Sequence, residues 1–220
     1  MIASFRILTG FADPRYLCHK SSRHRVMATS PNFSKVSDLL NERETQAVIQ
    51  FWDELMENRK LCARIGSEIL LSALTRDASL LPKFKIFEGM DLAQVARHKK
   101  LAAHGQYIAY TFANIVSQLD DPQMARSYVV TVATNHYKRG MNATHFRLFF
   151  TLLLAVMSKR LPPESFTDEM KDINHRAFQM LFAMFHDCLD ELDLENALPR
   201  VESVFEPAQS TEDAPDEIFE

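Results

Sequence analysis

Glycine is scarce in this chain: five residues in 220, against sixteen phenylalanines and ten methionines. β-rich domains use glycine for tight turns and bulges, so the shortage points to helices packed on bulky side chains. Cysteine is scarcer still. Cys18, Cys62 and Cys188 are too few and too scattered for a disulfide framework or a zinc site, and an odd set of free thiols suits a reducing compartment. No apolar run approaches the roughly 18 to 20 residues that a membrane span needs. No apolar stretch with a small-residue cleavage site marks a secretory signal. The arginines near the start bear a faint likeness to a mitochondrial presequence, but the expected location is cytoplasmic. Charge is plentiful and uneven. The net −4 conceals six Lys/Arg and one Asp in residues 1–35, and twelve Asp/Glu with one Arg in residues 187–220. Like-charged ends without apolar periodicity read as disordered extensions, a basic one at 1–37 and an acidic one at 193–220. The nearly neutral middle gives no reason to expect nucleic acid or a membrane as a partner.

What the middle holds is helical period. Asn41 reads as an N-cap, with Glu42 and Glu44 in the first turn. Val48, Phe51, Trp52, Leu55 and Met56 recur at helical spacing up to about Arg59. A second helix over 61–75 turns Ile65, Ile69, Leu70 and Ala73 inward. One long helix is expected over 91–118, with Leu101, His104, Ile108, Phe112 and Ile115 on its apolar stripe and His98 off it, toward solvent. Pro122 suits the first turn of the next helix, which carries Val129, Val132, Ala133 and His136 inward and stops at Gly140. Two more helices are expected over 142–159 and 163–192. No strand pattern appears, so 38–192 reads as one all-α domain of seven or eight helices.

Two features of that pattern ask for a reason. Gly66 and Gly105 each sit inside a helix, where glycine costs on the order of 1 kcal/mol relative to alanine; two helices crossing in backbone contact would explain both. His104 and His136 each project from the apolar side of a helix, with Phe84 and Phe87 upstream. Two imidazoles and an aromatic ring so placed are what is needed to clamp a flat, iron-bearing ring.

Those residues resemble the haem pocket of an animal globin, of the divergent invertebrate, nematode-like kind. His104-Gly105 resembles the distal histidine and the glycine after it, His136 the proximal histidine, and Phe84-x-x-Phe87 the segment whose first phenylalanine stacks on haem. Trp52 in the first helix and Gly140 after His136 fit the same order, whereas Ala78 stands where many globins have proline. The resemblance implies a globin fold around haem b (iron protoporphyrin IX), with His136 as iron ligand and His104 as distal residue, itself a ligand only if the iron takes two histidines. It further implies that Val132, Met141, Phe146 and Phe149 line the proximal and inner walls. Leu70 would close the far wall of a gas pocket that Ile108 crowds, and Tyr107 would reach a propionate or stay a partly exposed helix tyrosine.

A neutral imidazole is a good iron ligand, and burying several hundred square ångströms of macrocycle at roughly 25 cal/mol per Å² holds the ring. An N–H on the far side favours O₂, which becomes partly anionic on iron, over CO. The expected function is therefore reversible binding of O₂, with CO and NO as further ligands, for storage or sensing. Two alternatives use the same residues differently. One is a redox haem protein reducing nitrite or dioxygenating NO, with a separate electron-donor protein; the other is a haem-free helical interaction module with His136 merely packed.

Overall fold

The computed structural model describes residues 39–197. The basic extension expected at 1–37, with Cys18, lies outside them, as do residues 198–220 of the acidic one. Helix α1 (Glu42–Glu57) opens at Asn41, whose Oδ1 accepts the Glu44 N–H at 3.0 Å while Glu44 Oε2 accepts the Asn41 N–H. Asn58 then ends α1 and caps α2 (Arg59–Arg76), its Oδ1 accepting the Leu61 N–H. Two 3₁₀ segments follow, Ala78–Lys83 and Lys85–Phe87. After them come α3 (Leu92–Arg97), α4 (Lys99–Val116), α5 (Pro122–Tyr137, with Pro122 in its first turn), α6 (Ala143–Arg160) and α7 (Asp168–Ala197). Among the described residues there are seven α-helices and no strand.

The crossing of α2 and α4 sets the middle of the molecule. A β-carbon on Gly66 would overlap the carbonyl of Gly105, and one on Gly105 would lie 2.8 Å from the Gly66 carbonyl carbon. The two backbones touch, as the pair of costly glycines implies. Around this crossing, Phe112 is the hub of the aromatic core, with ring centroids 4.9 Å from Trp52, 5.4 Å from Phe178 and 5.8 Å from Phe150. The buried Trp52 Nε1–H donates to Asn174 Oδ1 at 2.9 Å, so the polar atoms buried between α1 and α7 satisfy each other.

Three sequence expectations are corrected. The helix expected over 91–118 is two helices, because His98 leaves the helical region (φ −83°, ψ 131°) and its Nδ1 accepts the Lys100 N–H at 3.1 Å. His98 is thus a cap and half-buried, not a solvent-facing interior residue; Val95 and Leu101 remain buried on either side, so the apolar period hides the break. The last helix starts at Asp168 rather than Pro163. Pro162 O accepts the Ser165 and Phe166 N–H groups in a turn, and Thr167 Oγ1 caps the helix through the Met170 N–H. This turn buries Phe166 and stacks it on Phe51 at 5.3 Å. The same helix runs to Ala197, five residues past 192.

Candidate haem site

His136 lies in the last turn of α5, and its Nδ1 is 2.8 Å from Val132 O. A carbonyl only accepts, so Nδ1 carries the proton and Nε2 keeps its lone pair. The chain then turns at Gly140, whose φ of +73° suits glycine, with the Gly140 N–H on Tyr137 O and the Met141 N–H on His136 O. This corner places Met141 and the first turn of α6 beside the imidazole, and the Phe146 ring stands at 5.5 Å and 67° to it.

His104 comes from α4, one residue before the glycine that touches α2. Phe84, in the turn between the two 3₁₀ segments, meets its ring edge to face at 5.4 Å and 89°. Phe87 is buried in a separate small core with Leu74, Leu80 and Val95. Burial pushes the His104 imidazole down to about 4, helped by the charge His136 would carry and by Arg139. Burial lowers His136 as well; its bond to Val132 O opposes that and Arg139 adds to it. Both rings are therefore neutral at pH 7, and His104 lies close enough to feel the charge that His136 would carry.

Both rings line one cavity of about 480 Å³, within the range of ordinary cofactor pockets. Leu70, Phe84, Ile108, Val132, Met141, Phe146 and Phe149 line it too, so the structure brings every residue singled out for the site to one place. Tyr107, half exposed, stands with Asn135 at its polar mouth. Other lining residues escaped sequence reasoning: Thr111, His145 and Phe185. His145 closes the capping pair of α6, accepting the Asn142 N–H on Nδ1 at 3.0 Å and leaving Nε2 3.6 Å from Asp77 Oδ2. The Asn142-x-x-His145 spacing signals the cap, but not that the ring reaches the cavity. Phe185 reaches the wall from α7 by stacking on Phe146 at 4.5 Å.

The globin family model matches residues 67–185 of this chain, more than half its length. The chain belongs to the globin family. The match leaves α1 outside, yet α1 packs in this globin as part of the same core through Val48, Trp52 and Leu55. No curated relative matches the chain in sequence. Among solved structures, this globin is similar to one described as a hexacoordinated haem protein from an anhydrobiotic tardigrade, at pH 4. The TM-score is 0.60 and the identity 14%, over 69% of this chain and 96% of the tardigrade one, so the likeness is one of fold.

Proposed function

We propose that this globin, of the animal type its His104-Gly105 pair resembles, holds haem b at His136 and binds O₂ reversibly, with CO and NO as further ligands, in cytoplasmic storage or sensing. The observation that carries the reading is a pair of neutral imidazoles from two helices facing one apolar cavity, one of them with its Nε2 lone pair free. The lining fits a flat apolar ring, with phenylalanine and aliphatic walls inside and Tyr107 and Asn135 where a propionate edge would meet water. Haem, when bound, supplies an iron atom that takes up a diatomic gas and lets it go.

The chain's own residues do the rest. The Val132 carbonyl fixes the tautomer and direction of His136 and raises its basicity as a ligand. His104 offers an N–H toward the gas side, favouring a ligand that gathers negative charge. Leu70, Ile108 and Phe149 keep water out.

Absorption spectra of the ferric, ferrous and CO-bound forms test the reading: a Soret band that shifts on CO addition is expected. Its absence after haem supplementation would leave a haem-free helical module. A second reading has His104 also reaching the iron until a gas displaces it. It is favoured by the lack of any hydrogen-bond partner for His104 among the described residues, and it would suit nitrite or NO chemistry with an external electron donor. In the ferrous, gas-free protein, sharp split α/β bands mean two histidines, and one broad band means an open site.

A further inference from the structure

On the outer side of the α2–α4 crossing lies a second, open groove of about 580 Å³. Its floor is apolar, with Leu101 buried and Leu71 half-buried, and Arg64, Arg76, Arg160 and Ser72 line it as well. Glu68, also in the groove, is already held by Lys159 at 2.7 Å and by Arg160. Arg64 and Arg76 are exposed and make no ion pair with any described residue. Counting Lys159 with the three arginines, four cations face one carboxylate, so the groove keeps an excess of positive charge over an apolar floor.

The complementary chemistry is in the same chain. Residues 198–220 hold seven carboxylates, at 202, 206, 212, 213, 216, 217 and 220, against the single Arg200. The last five come in Glu212-Asp213-Ala214-Pro215-Asp216-Glu217-Ile218-Phe219-Glu220, where an apolar pair sits between acids. Arginine forks bind carboxylates in bidentate fashion, and Ile218 with Phe219 match a floor of leucines. Reach is not limiting. Helix α7, 30 residues long, spans about 45 Å at 1.5 Å per residue, and the 23 residues after Ala197 extend to about 76 Å. Covalent tethering raises the local concentration of the segment to roughly the millimolar range, which a free acidic partner would have to match.

We propose that this arginine-lined groove is the docking site of the chain's own acidic C-terminal segment, residues 212–220. The docked segment covers the outer face of the two helices whose inner faces carry Leu70 and His104. The contact is electrostatic at the arginines and weakens with salt.

The test uses the full chain and two variants of it. In one, Glu212→Gln, Asp213→Asn, Asp216→Asn and Glu217→Gln neutralise the segment; in the other, Arg64→Gln and Arg76→Gln neutralise the groove. Phenylglyoxal modification of Arg64 and Arg76, read by mass spectrometry against the exposed Arg43, is expected to be several-fold slower in the unaltered chain than in the first variant or at high salt. Cleavage after the C-terminal glutamates by a Glu-specific protease is expected to be several-fold faster in the second variant, with its melting temperature unchanged. Equal arginine reactivity with and without the acidic side chains overturns the proposal. So does protection that rises with protein concentration, which means pairing between copies. Tail protection that follows Arg23→Gln and Arg25→Gln rather than the groove substitutions overturns it too, by assigning the segment to the basic N-terminal stretch.

Discussion

His136 owes its chemistry to one backbone carbonyl. Because Val132 O takes the Nδ1 proton, the only lone pair left on the ring is at Nε2. His136→Ala is expected to abolish stable ferrous haem binding, and added imidazole to restore part of the Soret absorbance, which a merely packed histidine would not allow. His104→Ala is expected to leave haem bound and to speed O₂ release roughly ten- to a hundredfold, the worth of one charge-assisted hydrogen bond; flash photolysis reads the rate. These two residues were legible because each histidine interrupts an apolar stripe. Leu70, Phe84 and Met141 were legible only through their order relative to the histidines. His145 was not: it sits in the first turn of α6, and a capping position carries no periodic mark of the side to which its ring turns.

Between α2 and α4 the decisive contact is backbone on backbone. Gly66→Ala places a methyl group on the Gly105 carbonyl and is expected to destabilise the fold by on the order of 3 kcal/mol, as overpacking of a rigid contact does. Denaturant unfolding gives the number; a change below about 0.5 kcal/mol, the usual range for surface substitutions, would mean that the helices part easily. The break between α3 and α4 rests on a smaller interaction. His98→Ala removes the acceptor for the Lys100 N–H and is expected to cost about 1 kcal/mol by the same measurement. The glycine pair announced the crossing because glycine inside a helix needs a reason. The break gave no such notice, since histidine is an ordinary helix residue and only its tertiary surroundings reveal that it caps.

The two ends of the described chain are locked by Arg176 on α7. Its guanidinium donates to Leu39 O at 2.8 Å and to both Glu44 oxygens, at 2.8 and 3.0 Å. The Arg176 bond, followed by the Asn41 N–H, holds the Glu44 carboxyl at about 2 against an ordinary 4.5. A carboxyl depressed by folding stabilises the native state above its unfolded pKa, and that support fades as pH falls toward the folded value. The difference in unfolding free energy between the unaltered chain and Arg176→Gln is therefore expected to be constant above pH 4.5 and to shrink between 4.5 and 2. A difference that instead grows on acidification would mean that Glu44 is not ionised against Arg176. At the opposite end, Tyr137 next to His136 donates to Asp193 Oδ1 at 2.8 Å, so the final turns of α7 brace the helix that carries the imidazole. The acidic composition past residue 192 masked that role, because charge content says nothing about which residues still pack.

Local rules were enough for the helical class, the N-caps at Asn41 and the stop at Gly140, because spacing and capping chemistry act within a few residues. They also announced the two histidines and the two glycines, whose side chains, or lack of them, are misplaced unless something distant explains them. Only the tertiary structure decided that His98 caps α4, that Phe166 closes a turn before α7, and that His145 and Phe185 share a cavity with residues far away in sequence. Each of those outcomes depends on contacts across the core, and the energy of a contact resides in neither partner's own segment.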